Sequence, residues 1–126
     1  MNNSDNDHNN SCIANLVTWP AFIKLSGEDE LAYLDNVAKW QSMKDNNEML
    51  YKEGDCLIDS SGKVFLLSTA HSHNVICKVS KQQCSLTEAL VFVREYAVQE
   101  NYCCSAKIYA NNFQQILAMI KSISNT

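Results

Sequence analysis

Glycine and proline are scarce in this chain: three glycines (Gly27, Gly54 and Gly62) and one proline (Pro20) in 126 residues. The glycines are too far apart to form a phosphate-cradling loop, and there is no Gly-x-Ser-x-Gly nucleophile elbow. Histidine is as rare, with only His8, His71 and His73. A hydrolase triad would have to take its base from that short supply, which counts against catalysis. Basic residues number 10 against 14 acidic ones, for a net charge of −4. No basic stripe overrides that balance, so the electrostatic footprint of a nucleic-acid binder is missing. No apolar run approaches the ~20 residues of a membrane-spanning helix. The expected partner is another protein, with no nucleic acid and no membrane. No cofactor is expected, and the oligomeric state is unknown from sequence.

What is present is ordinary core material. Hydrophobic residues make up 46% of the chain, enough for one core. The clearest element is Ser85–Asn101, SLTEALVFVREYAVQEN. Ser85 and Glu88 form a capping-box pair, in which the hydroxyl and the carboxylate each take an orphan backbone N–H. Leu86, Ala89, Leu90, Val93 and Ala97 recur at helical spacing, and Phe92 and Tyr96 widen the stripe. Asn101 is a suitable stop, because Asn tolerates the left-handed conformation.

Residues 1–11 are almost wholly polar and are expected to be a disordered tail, with residues 12–126 forming one domain. Cys12–Val17 is a short apolar lead-in. Trp19–Leu25 and Glu30–Asn36 flank Ser26–Asp29 and predict a first hairpin. Asp35 or Asn36 can cap a short helix through Trp40 to about Met43. Cys56–Asp59 and Lys63–Thr69 flank Ser60-Ser61-Gly62 and predict a second hairpin. Its Val64–Leu67 run is uninterruptedly apolar, as in a strand buried on both faces. Asn74–Ser80 suits another strand, and Ser105–Ala110 alternates like a last one. A final helix follows, capped by Asn111 or Asn112, with Gln114 three residues after Asn111 repeating the capping-box pattern. Phe113, Ile116, Leu117, Ile120 and Ile123 form its stripe. Hairpins first and helices later define an α+β fold: a small, mainly antiparallel sheet with the two C-terminal-half helices packed on one face.

The segments Trp19–Leu25, Glu30–Tyr33 and Leu57–Gly62 resemble a family of short, uncharacterised proteins from gamma-proteobacteria, over about residues 19–110. The resemblance implies a bacterial cytoplasmic domain and carries over no functional residue. A cytoplasmic location also fits an N-terminus without the charged-then-apolar order of a signal peptide. The six cysteines (Cys12, Cys56, Cys77, Cys84, Cys103 and Cys104) are accordingly expected to be reduced, acting mostly as small core hydrophobes.

Three clusters could carry chemistry. His71-Ser72-His73 with Cys77 places two imidazoles and a thiolate on one face of an extended strand, and Cys84 could complete a zinc set. That spacing matches no familiar zinc module, and solvated turn histidines are the simpler expectation. Cys103-Cys104 could expose one redox-sensitive thiol beside Lys107. Glu28-Asp29-Glu30 with Asp35 lacks the spacing of a calcium loop, and suits a charged patch for a basic partner better. The leading expectation is a small non-catalytic protein-binding module. The alternatives are a metal- or thiol-dependent protein using His71, His73, Cys77 and Cys84, or a small enzyme with an unrecognised site.

Overall fold

The computed structural model describes residues 16–46, 50–69, 75–102 and 107–125. Five strands form one antiparallel sheet: β1 (Ala21–Lys24), β2 (Leu31–Leu34), β3 (Cys56–Asp59), β4 (Lys63–Thr69) and β5 (Val75–Gln83). Their spatial order is β2-β1-β3-β4-β5, so β2 and β5 are the edges. Both predicted hairpins form. Phe22 pairs with Tyr33 in the first, and Leu57 with Phe65 in the second. β1 joins the two by pairing with β3, with Phe22 opposite Ile58.

Helix α1 (Val37–Asn46) follows β2, and helices α2 (Leu86–Gln99) and α3 (Phe113–Ser124) end the chain. The two later helices lie together on one face of the sheet. Their core joins Ala89, Val93, Ala97, Ile116, Leu117 and Ile120 to Phe22, Leu31, Ile58 and Val64. The opposite face holds a second core, in which Trp40 of α1 packs with Ala21, Ile23, Leu34, Leu57, Phe65 and Leu67. Val17 and Tyr51 close that layer from the connecting segments. Strand residues alternate between the two cores, as a period of two requires.

The helix termini follow from local chemistry. Ser85 and Glu88 complete the capping box in both directions: Glu88 N–H donates to Ser85 Oγ and Ser85 N–H to Glu88 Oε1. These bonds hold the Glu88 carboxyl below its ordinary pKa. At the other end Asn101 takes φ 57°, and the N–H groups of Asn101 and Tyr102 donate to the carbonyls of Val98 and Ala97. This is the Schellman pattern with Asn in the glycine position. Asn36 caps α1 by accepting from Lys39 N–H. Asn112 caps α3 by accepting from Gln115 N–H, which makes Gln115 the third helical residue in place of Gln114. Gln115 in turn accepts from Asn111 N–H.

Two expectations are corrected. Of the predicted last strand Ser105–Ala110, residues 107–110 are described, and they do not join the sheet. Ile108 and Ala110 are buried, but under the helices. The Ile108 carbonyl is satisfied by the Arg94 guanidinium at 3.0 and 2.8 Å, so an alternating segment is held by a side chain where a strand would use a ladder. The Val64–Leu67 run is not buried on both faces throughout. Leu66 is 43% exposed, because it lies on the helix side of β4 outside the core built there.

Two buried carboxylates organise the loops. Asp59, 0% exposed, accepts from Thr18 N–H through Oδ2, and from Ser61 N–H, Ser61 Oγ and Lys63 N–H through Oδ1. It thus ties the segment before β1 to the β3–β4 turn. Asp55 accepts from Ser26 N–H and Lys52 N–H, joining the β1–β2 turn to the approach to β3. Gly62 closes the β3–β4 turn at φ 84°, where a Cβ would lie 2.8 Å from the Cys84 carbonyl oxygen. Its carbonyl accepts from Cys84 N–H at 2.8 Å.

Candidate binding surface

The two sheet edges differ. β5 is nine residues long, and it carries exposed Lys78 and Lys81 and a register shift against β4 between Lys63 and Phe65. Edge lysines and bulges discourage another chain from pairing there. β2 is four residues, Leu31-Ala32-Tyr33-Leu34, with no lysine. α1 contacts it from one side of the sheet, and α2 and α3 from the other. Between them runs an open groove of about 820 Å³ with β2 along its floor. On the α1 side its walls are Ala38, Lys39 and Met43; on the other side they are Tyr96, Glu100 and Lys121.

Tyr33 sits centrally. Its hydroxyl donates to Asp35 Oδ1 at 3.3 Å, and the Lys121 ammonium lies 5.8 Å from its ring centre. Burial, and then the neighbouring Asp35 charge, raise the Tyr33 pKa, so the hydroxyl remains a donor at neutral pH. Tyr96 Oη and Ser124 Oγ are 2.9 Å apart, which links α2 to α3 at the groove wall. Glu30 precedes the strand and Asp35 follows it, both exposed, with Glu28 and Asp29 exposed in the adjoining turn. The Lys24 ammonium donates to the Leu25 and Glu28 carbonyls and lies 5.5 Å from the Phe92 ring.

A second groove, of about 390 Å³, lies on the α2 side of β3 and β4, lined by Cys56, Val64, Cys84, Glu88 and Phe92 among others. Cys56 and Cys84 are free thiols. Burial is the main cause that raises both pKa values, with Cys84 pushed up to about 12 from an ordinary 9.0. A thiol so shifted is a poor nucleophile and a reluctant metal ligand at neutral pH. Iodoacetamide at pH 8.5 is therefore expected to modify Cys84 at least ~10-fold more slowly in the native protein than in urea, read by mass spectrometry. Equal rates would show an accessible, ionisable sulfur. The linkage has a definite sign. The unfolded thiol ionises near pH 9.0 while the folded one stays protonated, so this group's contribution to stability is intact below pH 9 and lost between pH 9 and about 12.

The zinc candidates fall as follows. Cys77 packs on the Trp40 face of the sheet, whereas Cys84 is buried in the core on the α2 and α3 face. The sheet separates them, so the fold does not bring these two together. His71 and His73 lie outside the described residues, as do Cys103 and Cys104. Among the described residues, no three His, Cys, Asp or Glu side chains gather closely enough to hold a metal ion. Sequence reasoning identified the acidic residues around β2 but missed the groove between them, which is assembled from α1, β2, α2 and α3. It also missed Asp59 as a structural knot. The Asp-Ser-Ser-Gly turn was legible, but the bond to Thr18 was not.

The molecule is thus an α+β protein with an antiparallel five-stranded sheet covered by helices on both faces. It belongs to the DUF4144 family, described as a protein structure of unknown function, whose model matches residues 19–120. A solution NMR structure of a protein from Shewanella amazonensis is similar, with a TM-score of 0.63 at 20% identity, covering 85% of this chain and 90% of that one. At that identity the likeness speaks for the fold alone. No curated protein matches the chain. Among the described residues no helix is long and apolar enough to cross a membrane.

Proposed function

We propose that this protein is a small non-catalytic protein-binding module of the bacterial cytoplasm, and that it binds through the β2 edge. The observation that carries the reading is the position of β2: an edge strand without lysine, lying in a groove between helices from both faces of the sheet. Backbone groups alternate in direction along an antiparallel strand, so roughly half of the β2 residues turn their N–H and C=O away from β1. An extended segment of a partner can pair with them as a sixth strand. Cys56 and Cys84 pack against the helix-side core as small hydrophobes, a use of cysteine that fits the cytoplasmic part of the reading.

The test is selection of random ten-residue peptides on the full chain, followed by amide chemical-shift mapping. Bound peptides are expected to shift Leu31–Leu34, and N-methylation of alternate peptide backbone amides is expected to abolish binding. Failure to select any binder, or binding indifferent to N-methylation, would overturn the reading.

A further inference from the structure

We infer that the segment received by β2 is basic: an extended peptide of another protein, with Lys or Arg side chains at both ends of the paired stretch. This rests on the β2-edge reading above and adds the chemistry of the partner. The groove is lined by three carboxylates, Glu30, Asp35 and Glu100, against two ammonium groups, those of Lys39 and Lys121. Lys121 lies over the Tyr33 ring. Glu28 and Asp29 extend the negative charge beyond the β2 N-terminus. Negative charge therefore brackets the strand at both ends.

The same bracket argues against a second copy of this chain. A two-fold antiparallel pairing of β2 with β2 would bring the acidic turn Glu28–Glu30 of one copy beside Asp35 of the other; centred on Ala32, it sets Asp29 opposite Asp35. Like charges directly opposite each other across strands are destabilising. Pairing through β5 would bring its exposed Lys78 and Lys81 against those of the partner copy. A basic segment instead finds an opposite charge at each end of β2. Glu30 and Asp35 are five positions apart, which spans about 16 Å at strand rise, so the basic residues of the peptide should be four to six positions apart. Between them, one peptide face meets Ala32, Ala38 and Met43, where there is room for apolar side chains. The other meets Tyr33 and Glu100.

The peptides selected on the full chain provide the test. They are expected to be enriched in Lys and Arg at that spacing, and their affinity should fall as salt rises from 50 to 300 mM. The Glu30→Lys, Asp35→Lys double variant is expected to bind them about tenfold more weakly at low salt. Both side chains are exposed, so its thermal midpoint should match wild type, which separates lost contact from lost fold. Neutral or acidic peptides that still shift Leu31–Leu34 would overturn the basic-partner inference and leave the β2-edge reading standing. Peptides whose shifts map to β5 would overturn both. A concentration-dependent dimer with β2 amide shifts, seen by sedimentation, would replace the basic partner with a second copy.

Discussion

Trp40→Ala is expected to lower the unfolding free energy by about 3–5 kcal/mol, measured by urea denaturation. Trp40 is the largest side chain of the core on the α1 face and is almost fully buried. It carries α1 onto Ala21, Ile23 and Leu57, so truncation leaves a cavity that neighbouring strand residues are too constrained to fill. A change below 1 kcal/mol would mean that α1 is not anchored to the sheet and that the groove lacks one of its walls. The variant should therefore also weaken any peptide that shifts β2, linking the packing of the second core to the binding surface.

Asp59→Ala is expected to cost about 2–4 kcal/mol, because three part-buried backbone donors lose their acceptor, at about 1 kcal/mol or more each. The Thr18, Ser61 and Lys63 N–H groups converge on this carboxylate, which is itself fully buried. Asp59→Asn gives a useful contrast. The Asn carbonyl can replace Oδ1 and keep the Ser61 and Lys63 donors, but its amide N–H₂ then faces the Thr18 N–H. The expected loss is about 1–3 kcal/mol, with perturbed amide shifts concentrated at Thr18. If Asn proved as damaging as Ala, the dominant factor would be the negative charge and not the number of acceptors.

The two variants probe features that differ in how they could be read from sequence. The Ser85–Glu88 capping box, the Asn101 stop and the Asn36 cap all involve groups within four or five residues of each other, so sequence spacing alone specifies them. Both hairpins were legible for a similar reason: each joins apolar runs across a short polar turn. By contrast, Asp59 reaches Thr18 across 41 residues. Its neighbours in sequence reveal only the turn. The segment ending at Ala110 alternates like a strand, yet residues 107–110 lie under the helices because Arg94 supplies the donors that a neighbouring strand would have supplied. Nothing local distinguishes those two outcomes.

Residue patterning was enough for the three helices, the strand pairs within each hairpin, the ends of α2 and the α+β class, but not for the segment ending at Ala110. Those are set by side-chain periodicity and by capping groups acting over one turn. Long-range packing puts helices on both faces, Cys77 and Cys84 on opposite sides of the sheet, and β2 at an edge. Strand order depends on which hairpin edges meet, and for β1 and β3 that match is made across more than 30 residues of intervening chain. The groove has the same origin. Its floor and walls come from four elements, and each is an ordinary strand or helix until packing sets them side by side.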